Sequence, residues 1–68
     1  MKLTVNGEPL ELPDGATVGD LVDQAGTPAR DRGIAVAVDA EVVPRSAWDE
    51  TVLLEGQTIE LLAAMQGG

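Results

Sequence analysis

The chain has 68 residues and a formal net charge of −8 at pH 7, because twelve aspartates and glutamates outnumber four lysines and arginines. A chain of this length forms one small domain with a modest core, which excludes a deep enzyme active site. It has no cysteine and no histidine, so disulfides and the usual zinc ligands cannot stabilise the fold. The negative charge would repel nucleic acid and anionic membranes, and neither is expected as a partner.

The rest of the composition predicts a protein without catalytic side chains. Histidine, cysteine and tyrosine are absent, and Ser46 is the only serine. Acid–base chemistry at neutral pH would fall to carboxylates, whose pKa becomes useful only through burial or a nearby like charge. Several acidic residues fall in predicted turns, where we expect water to solvate them: Asp14, Asp39, Asp49, Glu50 and Glu55. We therefore expect no catalytic residue, no bound cofactor and no metal site. The lack of a signal peptide or a long apolar segment separately predicts a cytoplasmic protein.

The first twelve residues predict a β-hairpin. Apolar residues alternate with polar ones on both sides of Asn6-Gly7, a pair that is the strongest short signal for a two-residue hairpin turn. The inward-facing residues of the two strands are Leu3, Val5, Leu10 and Leu12. A Pro-Asp-Gly turn at residues 13–15 then ends the hairpin.

A short amphipathic helix follows the hairpin. Thr17 is a suitable N-cap, and Asp20 stands three residues later, where it can face the helix N-terminus. The spacing of i, i+3, i+4 and i+7 forms one apolar stripe, made of Val18, Leu21, Val22 and Ala25. Gly26 and Pro28 predict the end of the helix, since glycine suits the left-handed C-terminal position and proline forbids continuation.

The second half of the chain predicts three more strands. The uninterrupted apolar run of residues 34–38 is typical of a central strand covered at least partly on both faces, with Ala35 and Ala37 on the second face. Residues 41–43 form a short strand that Pro44 ends, which suits a sheet edge. After a turn at residues 55–57, residues 58–63 form the last strand, with Ile59 and Leu61 facing inward.

The only aromatic residue, Trp48, lies in a short segment between the fourth and fifth strands. A single tryptophan in such a place usually anchors the segment to the core, and we favour this interpretation over a ligand-stacking role.

This order of elements predicts the α+β class and a β-grasp, or ubiquitin-like, fold. One amphipathic helix lies across one face of a mixed sheet, and the last strand lies in the centre, parallel to the first. A ferredoxin-like fold is the alternative, but it needs a second helix that the sequence does not show. The β-grasp domain is predicted to span residues 1–64, with residues 65–68 as a flexible tail.

That tail ends in Gln66-Gly67-Gly68. Two glycines offer no side chain for packing and lose much conformational entropy when ordered. From the residues alone, the pair is either a frayed terminus or a functional arm.

Three stretches of the chain together resemble the sulfur carrier proteins of bacterial thiamine biosynthesis, which are ubiquitin-like β-grasp proteins. These are "VNGEPLELPDGATVGDLV", "IAVAVDAEVVPRSAWDETVLLEGQTIELL" and the terminal "QGG", and they cover nearly the whole chain. The most specific parts are "VVPRSAW", "EGQTIEL" and the terminal tripeptide. One departure is Asp39-Ala40, where the family usually has an asparagine and a small turn residue, and we expect no effect on function.

The resemblance implies that Gly68 is adenylated and converted to a thiocarboxylate, with Gly67 and Gln66 threading into the partner's active site. It also implies three partners: an ATP-dependent adenylating enzyme related to the ubiquitin-activating type, a cysteine desulfurase relay that supplies sulfur, and a thiazole synthase that receives it. ATP would be used by the adenylating enzyme. The chain itself would be a protein co-substrate.

A partner-binding patch is expected beside the tail, formed by Leu62, Ala64 and Met65 and extended by Ala35 and Ala37 on the outer face of the sheet. Local packing explains Met65 equally well.

Three other functions compete with this one. The small subunit of molybdopterin synthase ranks second, because it tends to have a proline-rich, aromatic approach to its tail that "LLAAMQGG" lacks. Another thiocarboxylate carrier or a ubiquitin-like modifier ranks third. In a different class, the chain could be an interaction module with an incidental glycine end.

Overall fold

Five strands form one mixed sheet with a helix across one face. The computed structural model describes residues 1–24 and 34–63. The elements are β1 (Lys2–Val5), β2 (Glu8–Glu11), α1 (Val18–Gln24), β3 (Ile34–Val38), β4 (Glu41–Val43), a 3-10 helix (Arg45–Glu50) and β5 (Thr58–Ala63). The strand order is β2-β1-β5-β3-β4, and β1 with β5 is the parallel pair. The predicted β-grasp topology, with the last strand central and parallel to the first, is confirmed.

Both hairpins turn through two residues in the left-handed region of backbone conformation. Asn6 and Gly7 have φ values of 51° and 83°, and Asp39 and Ala40 have φ values of 50° and 72°. Two successive positive φ values are the mark of a type I′ turn, whose twist matches that of the strands it joins. The turn predicted at Asn6-Gly7 is confirmed. Ala40 adopts this conformation at a cost, because its Cβ disfavours positive φ.

The helix begins with the predicted cap. The Thr17 backbone N–H donates to Asp20 Oδ2 at 3.0 Å, and the Asp20 N–H donates to Thr17 Oγ1 at 3.2 Å. These reciprocal bonds satisfy two donors at the start of the helix. The apolar stripe is fully buried at Val18, Leu21 and Val22. The predicted stripe member Ala25 and the predicted helix end at Gly26 and Pro28 lie outside the described residues.

The core lies between α1, the 3-10 helix and the inner face of the sheet. Its buried apolar residues are Leu3, Leu12, Ala16, Val18, Leu21, Val22, Val36, Val38, Trp48, Leu53 and Ile59. Trp48 is 1% exposed, and its Nε1–H donates to the Val43 carbonyl at 3.0 Å. The predicted anchoring role of Trp48 is therefore confirmed.

One expectation about packing is corrected. The second face of β3 is not covered, since Ala35 is exposed and Ala37 only half-buried. The apolar run results from small alanines on an open face, because α1 covers only the opposite one. Four residues predicted to face inward are half-buried and pack against the core, namely Val5, Leu10, Ile34 and Leu61. The sequence pattern did not identify the buried Leu53.

The turn acids are exposed, as expected, and two of them also accept hydrogen bonds from the backbone. Glu55 Oε1 accepts from the Lys2 backbone N–H at 2.9 Å, and Asp39 Oδ1 accepts from the Thr58 N–H at 2.9 Å. Each carboxylate satisfies a backbone donor at a place where two segments meet, which gives it a structural role.

No helix among residues 1–24 and 34–63 is long and apolar enough to cross a membrane.

The core packing makes a testable prediction. Leu21→Ala should lower the free energy of unfolding by about 2–5 kcal/mol, because Leu21 is fully buried and its truncation leaves a cavity. Urea denaturation followed by circular dichroism measures the change. The control is Val42→Ala, at a residue 73% exposed, which should shift stability by no more than about 0.5 kcal/mol. Equal losses in the two variants would contradict the packing described here.

Candidate functional site at the end of the last strand

The last strand carries the chain toward its C-terminal residues from the middle of the sheet. β5 pairs with β3 in an antiparallel ladder that runs from Val38 opposite Ile59 to Ile34 opposite Ala63. On its other side, β1 pairs with only the first part of β5, Thr4 with Thr58 and Val5 with Ile59. The final residues of β5 therefore extend beyond the end of β1.

The predicted tail residues lie outside the described residues. These are Ala64, Met65, Gln66, Gly67 and Gly68. The domain boundary predicted after residue 64 falls there too. What the structure does place is the strand from which the tail leaves.

An asparagine side chain holds this strand near its end. The Leu61 backbone N–H donates to Asn6 Oδ1 at 2.8 Å, and Asn6 Nδ2 donates to the Leu61 carbonyl at 3.2 Å. The Asn6 backbone N–H also donates to the Ile59 carbonyl at 2.9 Å. The hairpin turn of β1 and β2 is thus bonded to β5 just before the tail.

An aspartate holds the same strand at its start. Asp39 Oδ1 accepts from the Thr58 N–H, and the Asp39 N–H donates to the Thr58 carbonyl at 2.7 Å. Gln57 Nε2 donates to Asp39 Oδ2 at 3.4 Å, while Gln57 Oε1 accepts from the Leu54 N–H at 2.8 Å. Asp39 therefore has a structural role at the end of β5 farthest from the tail.

Sequence reasoning treated both Asn6 and Asp39 only as turn residues. An Asn or Asp in the left-handed region is common in hairpin turns and does not by itself show which strand its side chain will meet. The contacts of Asn6 and Asp39 with β5 depend on the position of β5 between the two hairpins, which the turn sequences do not encode.

An apolar surface lies on the outer face of the sheet, opposite α1. We call it the outer-face patch, and it consists of Ala35, Ala37, Val42 and Leu62. Val42 and Leu62 are 73% and 59% exposed, and the strand register places Ala35 beside Leu62 and Ala37 beside Val42. The prediction named Leu62 with the two alanines, and the structure adds Val42 from the edge strand. Partner binding by this patch stays a prediction.

The whole chain matches a known family. The sequence model of the ThiS family matches residues 3–68, a range that includes the terminal tripeptide. The chain belongs to the ThiS family. It is 29% identical over 68 residues to sulfur carrier protein ThiS of Escherichia coli (strain K12), with 100% of each chain covered. The predicted function as a sulfur carrier of thiamine biosynthesis, rather than a catalyst, is confirmed at the level of the family. The match also favours this function over that of the molybdopterin synthase subunit.

Solved ThiS structures share the fold. A crystal structure of ThiS from Geobacter metallireducens superposes with a TM-score of 0.82 at 33% identity and covers 100% of both chains. An NMR structure of a thiamine biosynthesis protein from the same organism gives a TM-score of 0.80 at 31% identity, covering 100% of this chain and 88% of that one.

A second kind of relative is much longer. The chain is 32% identical over its full 68 residues to a thiazole synthase from Paramagnetospirillum magneticum (strain ATCC 700264 / AMB-1). It spans only 20% of that protein's length. A ThiS-like segment and the rest of a thiazole synthase therefore occur in one polypeptide in that relative.

Proposed function

We propose that this protein carries sulfur as a thiocarboxylate on the C-terminal carboxylate of Gly68. The observation that carries the proposal is the family match, which runs through Gly68 and so includes the terminal glycine pair. The position of β5 supports it, because a central strand that pairs on both sides is a firm base for a tail that another protein must engage.

The chemistry requires two steps. First, a carboxylate oxygen of Gly68 attacks the α-phosphorus of ATP, so that a C–O–P linkage forms and pyrophosphate leaves. Second, sulfur at the oxidation level of sulfide attacks the acyl carbon, so that a C–S bond forms and AMP leaves with the former carboxylate oxygen. A persulfide donor adds one requirement, a thiol reductant that supplies two electrons to cleave the S–S bond. The product is the thiocarboxylate.

The carrier needs no catalytic side chain for these steps. An α-carboxylate is already ionised at pH 7 and needs no base to become a nucleophile. Gly67 and Gly68 lack a Cβ, so a partner's backbone and a nucleotide can approach the terminal carboxylate closely. Gln66 precedes them and would thread into the same active site.

The proposal assigns three partners. An ATP-dependent adenylating enzyme performs the first step, a cysteine desulfurase relay supplies the sulfur, and a thiazole synthase accepts it. The similarity to one fifth of a thiazole synthase supports the last assignment, because a carrier segment joined to its acceptor has a high effective concentration. When the carrier and the acceptor are separate chains, sulfur transfer requires a docking surface on the carrier.

The outer-face patch is the surface we assign to docking. Exposed apolar residues that touch one another on a sheet face are typical of protein–protein contacts. Leu62 joins the patch directly to the tail, since it is followed by only six residues. Ala64 and Met65 would extend the patch along the tail. Glu60 lies beside Ala37 on this face, so a partner with apolar side chains and a nearby basic group fits it best.

The first prediction from this proposal concerns Gly68. Incubation with ATP, the cognate adenylating enzyme and a sulfur source should raise the intact mass by the difference between sulfur and oxygen. Deleting Gly68 should abolish the change and retain the fold, because the described core is formed by residues between Met1 and Leu61. Intact-mass spectrometry measures loading, and circular dichroism measures the fold.

Two substitutions sharpen that test. Gly68→Val should behave almost like the deletion, since a β-branched side chain crowds the carboxylate. Ser46→Ala is the control, because Ser46 is the only serine in the chain and should not affect loading. Loading lost with Ser46→Ala but kept without Gly68 would show that the modified residue is assigned wrongly.

The second prediction concerns docking. Leu62→Ser should raise the KM of the adenylating enzyme for the carrier, because it places a hydroxyl in the apolar interface. It should alter the free energy of unfolding by only about 0.5 kcal/mol, since Leu62 is 59% exposed. Steady-state kinetics of loading measures the effect.

The matched control is Val52→Ser, at a residue that is 51% exposed but lies outside the patch. An unchanged KM in Leu62→Ser, or the same increase in both variants, would argue against docking through the outer-face patch.

A further inference from the structure

Asn6 does more than form a turn. Its side-chain amide both donates to and accepts from the backbone of Leu61, a residue 55 positions away in the chain. The last residue pair of β1 and β5 is Val5 with Ile59, so the amide adds one further rung where β1 has already ended. An amide side chain here replaces a missing piece of strand backbone.

We propose that Asn6 is a positioning residue for sulfur loading, because it holds the edge of β5 that faces away from β3 just before the C-terminal arm. This rests on the proposed function of Gly68. The bonds to Leu61 lie directly before Leu62, the exposed residue that joins the outer-face patch to the tail. Leu62 and Ala63 remain paired with β3, and five residues, 64–68, follow the strand in the chain. When the start of such a short arm is held in place, the effective concentration of its terminal carboxylate at the partner's active site is higher.

The identity of the side chain separates this role from turn formation. The φ value of 51° at Asn6 is also accessible to glycine and aspartate, and both are common in such turns. Only asparagine provides a donor and an acceptor with the geometry to match one backbone carbonyl and one N–H. Aspartate would keep the acceptor but place a carboxylate oxygen against the Leu61 carbonyl.

Asp39 supplies a matched control within the same strand. It has nearly the same φ value, 50°, in the other hairpin turn, and it bonds the backbone of β5 at Thr58. Glycine at either position preserves the turn and removes side-chain bonds to β5. Asn6→Gly and Asp39→Gly therefore both remove hydrogen bonds to the backbone of β5. Asn6→Gly removes them near the tail, and Asp39→Gly removes them at the opposite end of the strand.

The experiment combines amide hydrogen exchange with loading kinetics for the wild type, Asn6→Gly, Asn6→Asp and Asp39→Gly. In Asn6→Gly, exchange at the Leu61 amide should accelerate on the order of tenfold, because its acceptor is lost. The KM for the carrier should rise about fivefold with kcat little changed, since fewer molecules hold the arm in the competent position. Asn6→Asp should show the same effects.

In Asp39→Gly, faster exchange should occur at Thr58, and the KM should stay at the wild-type value. The proposal is overturned if neither Asn6 variant raises the KM, or if Asp39→Gly raises it equally. A folded Asn6→Asp protein keeps the test valid if Asn6→Gly does not fold. A wild-type chain that does not load overturns the proposed function together with this role of Asn6, and that result is recognised before any variant is made.

Discussion

The structure depends on the insertion of β5 between two hairpins that are far apart in the chain. Without β5, β1–β2 and β3–β4 are two separate ribbons, and an isolated two-stranded hairpin is marginally stable in water. With β5 between them, they become one sheet with a single inner face that α1 can cover. The same strand directly precedes the C-terminal residues in the chain, so the element that completes the fold also leads to the glycine pair.

The two hairpin turns secure this strand by the same device. Each turn holds a short polar side chain in a left-handed backbone conformation, Asn6 in one and Asp39 in the other, and each side chain bonds the backbone of β5. The two contacts lie at opposite ends of β5. A chain without disulfides or zinc ligands thus gains precise strand placement from hydrogen bonds between segments.

Under the proposed function, the reactive carboxylate of Gly68 follows β5 in the chain and takes no part in the described core. A carrier must present one carboxylate to several enzymes, so the reactive group is best placed beyond the packed core. The inner face of the sheet is occupied by α1 and Trp48, which leaves the outer face open. The exposed Val42 and Leu62 lie outside this core, and the proposed function uses them for docking.

Local patterns in the sequence determined the elements themselves. The Asn-Gly pair specifies a turn, the Thr17–Asp20 spacing specifies a cap, and alternation assigns Ile59 inward and Leu62 outward, because each depends on neighbours within a few residues. The assignment of Gly68 as the modified residue came from the resemblance to a family, since a glycine pair has no side-chain chemistry of its own to suggest it.

Tertiary structure decided the contacts between distant segments. The burial of Leu53, the exposure of Ala35, the addition of Val42 to the outer-face patch and the bonds of Asn6 and Asp39 to β5 all depend on which strands become neighbours. Strand neighbours are set by the burial of one shared apolar face, a property of the whole chain. No local pattern contains that information, which is why Asn6 was identified from sequence as a turn residue and from structure as the residue that holds the base of the tail.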